Sequence, residues 1–156
     1  MLNRFKVLFG AENPEKERIG RDEELRLAAA ALLVEAAGMD GNFDDDERSR
    51  ITALLQTRFE LSGEETASLI EHAEQALHES GGLYKFTRVI KDSYSPEERI
   101  EMIEMLWEVA YADGRVDHFE SNLIRRVGGL IYVSDVDRGK AKNRVVARLG
   151  IKESSV

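Results

Sequence analysis

Cysteine is absent from the 156-residue chain, which excludes disulfides, thiolate metal sites and a cysteine nucleophile. Proline occurs only twice, and runs of β-branched residues are few, so the composition favours helices. An excess of positive charge is missing too. The net charge of −8 excludes a nucleic-acid partner, because phosphate-backbone binding needs a basic surface, and it points to cations or basic proteins. No long apolar run is present: residues 27–34 form the longest, far short of the ~20 needed to span a bilayer. No Gly-x-Ser-x-Gly, phosphate loop or dinucleotide fingerprint occurs. The three histidines make a poor site, since His72 and His78 are six apart, about 120° round a helix from one another, and His118 stands alone as an accessory ligand or a solvated residue.

What is present is a repeated acidic octet. Asp40-Gly41-Asn42-Phe43-Asp44-Asp45-Asp46-Glu47 returns as Asp113-Gly114-Arg115-Val116-Asp117-His118-Phe119-Glu120, an offset of 73 residues. Glu35 and Glu108, Ala37 and Ala110, and Ile51 and Ile124 coincide at the same offset, so a whole unit is repeated. Each octet joins two helices: Gly41 and Gly114 suit the left-handed residue that ends one, Asp44 and Asp117 suit the N-cap of the next, and Glu47 and Glu120 follow three residues on. Asp40 and Asp113 fit less easily, because each faces the negative end of the preceding helix dipole.

Asp-Gly-x-apolar-Asp-x-x-Glu also matches the second half of an EF-hand loop, whose last Glu is a bidentate calcium ligand. The first half is missing in both copies, so neither loop alone surrounds a cation, whereas two facing half-sites do. The ligand set would be Asp40, Asp44, Glu47, Asp113, Asp117 and Glu120, all oxygen donors, which selects calcium or magnesium, or manganese, over zinc or copper. The rival reading is structural: Asp44/Glu47 and Asp117/Glu120 only cap helices, Asp40 and Asp113 only form turns, and Arg48, Arg50 and Arg115 screen the charge. Glu35 and Glu108 fall on a different helix face and read as solvent or inter-half contacts.

Along the chain, Met1 to Phe9 is too broken by charge for a signal peptide and reads as an amphipathic segment that docks on the protein, with membrane-surface contact as the alternative. Gly10 to Gly20 reads as a linker. Residues 22–39 predict a buried helix, and Ile51, Leu54, Leu55 and Phe59 a second, amphipathic one. Ser62 and Glu65 predict a capping box for a third that Ser80-Gly81-Gly82 stops. A short connecting helix over residues 83–92 leads to Ser95-Pro96-Glu97-Glu98, a second strong start signal. The following helix carries Trp107 in its core face and runs into the second octet. The next carries Leu123, Ile124, Val127, Leu130 and Ile131, is weakened by Gly128-Gly129 and ends near Val133; Ser134 caps the last, which Gly150 closes.

The expected architecture is therefore all-α: two pseudo-repeated three-helix units, 22–79 and 95–149, joined by a short helix in one domain over 21–150, with 1–20 a leading segment and 151–156 a tail. Helix, then Val109-Ala110-Tyr111-Ala112-Asp113-Gly114-Arg115-Val116-Asp117-His118-Phe119-Glu120, then helix, in two copies, resembles the tellurite-resistance TerB-like family over residues 22–150. The first copy departs from the pattern, with Gly38-Met39 where the second has Tyr111-Ala112. The resemblance implies a non-enzymatic, cytoplasmic accessory protein of bacterial tellurite and stress resistance. It further implies that the acids bind a metal, and that the protein works with a protein partner in a membrane-associated complex, peripheral at the inner membrane. The alternative is a protein-interaction module whose acids are helix caps.

Overall fold

The computed structural model describes residues 14–38, 45–111 and 118–150, with the side chains of 14–19, 21 and 118–120 outside the description. All the regular structure among them is helical: α1 (Pro14–Gly38), α2 (Asp45–Phe59), α3 (Gly63–Ser80), α4 (Tyr84–Ser93), α5 (Pro96–Ala110), α6 (His118–Leu130) and α7 (Asp135–Leu149). The all-α class is thus as the sequence implies.

The first helix is longer than its apolar pattern. It begins at Pro14 and runs 25 residues, so residues 14–20 are helical and not the linker that their polarity predicts. Proline at the first helical position loses no hydrogen bond and presets the helical φ, and the Glu, Lys and Arg that follow are good helix formers. Its middle is apolar on every side, and Ala28 through Leu33 are at most 1% exposed. A helix buried all round must have neighbours all round: α3, α4 and α5 pack on it most extensively, with α2 and α6 adding smaller contacts. α5 is the second central helix, packed against α1 and α7. Leu32, Leu33, Ile51, Leu55, Ile103, Leu106 and Ile124 fill the space between these elements and are completely buried.

α1 lies against α3 and α5 against α7, while α2 reaches across to α5 and α6 to α1.

Local caps stand where the sequence puts them. The Ser62 hydroxyl accepts from the Glu65 backbone N–H at 3.1 Å, and the Glu65 carboxylate accepts from the Ser62 N–H at 2.9 Å. Ser95 and Glu98 form the same reciprocal pair at 3.2 and 2.9 Å, with Pro96 inside the first turn. Ser134 caps α7 through the Asp137 N–H at 3.1 Å. Gly81 and Gly150 end α3 and α7 in the left-handed conformation, with φ of 72° and 67°. Gly128-Gly129 does not end α6: the helix continues through both glycines to Leu130, and the left-handed residue after it is Tyr132, φ 61°. A Cβ at Gly128 would lie 3.6 Å from Arg138 Cδ and 3.9 Å from Ile103 Cδ1, ordinary van der Waals contact.

Candidate functional site

α2 runs antiparallel to α5. Arg58, in the last turn of α2, pairs with Glu98 at 3.4 Å and Glu101 at 3.1 Å at the start of α5. One turn earlier, Leu54 shares a cavity of about 210 Å³ with Glu104, Met105 and Glu108. Stepping back about two turns from Leu54 to Glu47, and forward a similar length from Met105 to Tyr111, brings the first turn of α2 to the level of the last turn of α5. The start of α2 and the end of α5, each flanking one of the stretches 39–44 and 112–117, therefore lie on the same side of the bundle.

Asp45, Asp46 and Glu47 occupy the first turn of α2, where the helix dipole favours negative charge. Glu47 is only 7% exposed and has a polar partner, as a buried carboxylate must. Of the six predicted ligands it alone has a described side chain. Asp40, Asp44, Asp113 and Asp117 lie outside the described residues; Glu120 lies within α6, but its side chain is outside the description. Among the described residues no group of three or more His, Cys, Asp or Glu side chains is arranged to hold a metal ion.

The arginines predicted to screen the octets divide. Arg48 reaches Glu74 on α3 at 3.1 Å, Arg50 is half-buried on α2, and Arg115 lies outside the described residues. Glu108 is neither a solvent nor an inter-half contact. It is buried on the α5 face against α7, where Arg148 Nε and Nη2 both donate to its Oε1, at 2.8 and 2.6 Å. Arg148 also meets Glu104 at 3.3 Å, with Arg144 on the other oxygen of that carboxylate at 3.4 Å. The hydrogen bond to Glu108, more than any other cause, lifts the Arg148 pKa above its ordinary value. Trp107 is core, as predicted: its ring lies 6.1 Å from that of Tyr111, the Lys142 ammonium sits 5.3 Å from its centroid, and its indole N–H has no hydrogen-bond partner among the described residues. His72 is spent locally, with Nδ1 2.8 Å from the Ser68 carbonyl oxygen.

Two clusters carry no motif and emerge only in the fold. One is the acidic edge of α5, Glu98, Glu101, Glu104 and Glu108, closed by Arg58 from one side and by Arg144 and Arg148 from the other. The second is a basic face on α4, Lys85, Arg88 and Lys91, beside a cleft of about 330 Å³ that Tyr84, Thr87 and Leu130 also line. The three-residue spacing of those cations is the sequence signal that finds it.

No helix among the described residues is long and apolar enough to cross a membrane. The family model described as tellurite resistance protein TerB matches residues 26–143. No curated protein and no solved structure gives a match.

Proposed function

The chain belongs to the TerB tellurite-resistance family, and we propose that it is a non-enzymatic accessory protein that binds a divalent cation through its two Asp-Gly octets. The observation that supports this reading is the antiparallel packing of α2 on α5, which brings the start of α2, beside the first octet, level with the end of α5, beside the second. The donor chemistry fits: Asp40, Asp44, Glu47, Asp113, Asp117 and Glu120 offer only carboxylate oxygens, the donors that calcium and magnesium prefer. Glu47 adds a buried carboxylate at the edge of the first octet. When bound, the cation would neutralise acids that otherwise repel one another and would tie the two halves together.

A second reading has its own support. Asp44/Glu47 and Asp117/Glu120 each have the spacing of an N-cap acid followed three residues on by Glu, so capping alone would account for those acids, each cap being worth about 0.5–2 kcal/mol. The protein would then be an interaction module without a metal. In either case the partner is a protein, and the working place is the cytoplasm or the inner face of the membrane.

Calorimetric titration with calcium and with magnesium separates the two. Cation binding predicts heat on titration and a melting temperature that falls in chelator, since a ligand held only by the folded state stabilises it by mass action. An absence of heat at millimolar ion, with an unchanged melting temperature, leaves the capping reading.

A further inference from the structure

A chain of net charge −8 carries one face of the opposite sign. On α4 the cations Lys85, Arg88 and Lys91 follow one another at intervals of three residues, and with Tyr84 they fall within about 120° of the helix circumference. The opposite side of the helix, Phe86 and Ile90, is buried in the core, so the basic side faces outward. Lys85 and Arg88 have no ion-pair partner among the described residues, and Lys91 reaches only Asp92, at a long 3.7 Å.

Two aromatic rings stand in this face against the usual economy of folding. Tyr84 is 62% exposed and Tyr132 is 73% exposed. The Lys91 ammonium lies 5.5 Å from the Tyr132 ring centroid, which joins the second ring to the basic row. Tyr132 also holds φ at 61°, a conformation that costs a side-chain-bearing residue roughly 1–2 kcal/mol and that glycine adopts freely. The left-handed backbone closes α6, with the Val133 N–H donating to the Gly128 carbonyl at 2.8 Å, so it is the exposed ring that packing within the chain leaves unexplained.

We propose that Lys85, Arg88 and Lys91, with Tyr84 and Tyr132, form a docking surface for an acidic amphipathic helix of a partner protein. The cations are spaced at about 4.5 Å of helix rise, so carboxylates one turn apart on a partner helix match them. The cleft between Tyr84 and Leu130 receives an apolar side chain from the same helix face. Tyrosine and arginine are the residues that most often dominate such interfaces. A lipid surface fits less well: polybasic membrane segments carry about 4–8 cations, this face is concave, and the net charge of −8 opposes approach to an anionic bilayer.

The test uses the full chain in EDTA, so that its outcome is independent of the cation reading. A fluorescein-labelled synthetic helix of Glu, Ala and Leu, with carboxylates one turn apart, is titrated by anisotropy. The expected result is saturable binding that weakens with salt and that falls about tenfold or more in K85E/R88E. Tyr132→Gly supplies the readout that a structural role would not produce: relief of the left-handed strain keeps or raises the melting temperature while binding falls about tenfold. No binding up to about 1 mM, binding unchanged in both variants, or sedimentation with phosphatidylglycerol vesicles in place of peptide binding each overturns the proposal.

Discussion

Arg148 places two nitrogens on a single oxygen of Glu108, at 2.8 and 2.6 Å, across the contact between α7 and α5. The two ends of this pair differ in surroundings, since the Glu108 side chain is 11% exposed and that of Arg148 50%. Removing the exposed partner therefore strands the buried one. Arg148→Ala leaves a largely buried carboxylate without the two donors on its Oε1 and costs about 1–3 kcal/mol, the penalty for an unsatisfied buried group. Glu108→Leu in the same background recovers most of that loss, because it removes the stranded charge while filling its volume. Urea unfolding of the two single variants and the double variant checks both statements.

Acid should weaken the start of α5 in a defined window. The Ser95 backbone N–H bonded to Glu98, with help from the Ser95 hydroxyl and Arg58 against the opposing effect of burial, holds the Glu98 pKa below its ordinary 4.5. A depressed folded-state pKa means that this contribution is fully present above about pH 4.5 and disappears as pH falls through the lower, folded value. Glu65, bonded in the same way to Ser62, behaves alike. Glu98→Gln keeps the capping hydrogen bond but cannot titrate, so its melting temperature falls less between pH 5 and pH 3 than that of the parent.

At high pH the sign reverses for Tyr94. Burial pushes its hydroxyl up to about 12, so the neutral ring is preferred in the fold and its stabilisation is lost as pH rises from 10 through 12. Ultraviolet titration should show a tyrosine ionisation near pH 12, and Tyr94→Phe should delete that step.

The middle of α1 allows a test of burial on all sides. Ala29, Ala30 and Ala31 point in three directions about 100° apart, and all are completely buried. Leucine at any one of them should cost about 1–3 kcal/mol through overpacking. An ordinary amphipathic helix would tolerate at least one of the three, so three comparable losses in urea midpoint identify a central helix.

These elements differ in how far the sequence reveals them, and the reason is range. Ser62 with Glu65 and Ser95 with Glu98 are legible because each cap closes within four residues. Pro14 is a start signal of the same kind, but the polar stretch that follows it shows no apolar period and hides seven helical residues. Glu108 is misplaced for the opposite reason: its partner Arg148 lies 40 residues away, and nothing local announces it. Gly128-Gly129 reads as a weak point because glycine is permissive, yet α6 runs through both. Of the candidate site, the approach of α2 to α5 required the fold, because it rests on contacts about 40 residues apart in the chain.

The sharpest separation of cation binding from capping comes from asparagine. Asn caps a helix about as well as Asp and forms the same turns, but it brings no charge to a metal. In Asp40→Asn with Asp113→Asn, the helix ends keep their geometry while two carboxylates leave the negative poles of α1 and α5, which relieves about 0.3–1 kcal/mol at each. The metal-free melting temperature therefore holds or rises. If the octets share a cation, calcium or magnesium binding by calorimetry weakens by about tenfold or more in the same variant, since each ligand carboxylate is a major part of the affinity of a hard-cation site. Asp44→Asn with Asp117→Asn should lose the cation similarly and leave the helices intact. Stability that drops in these variants, in chelator as much as in calcium, would instead assign the acids to the turns alone.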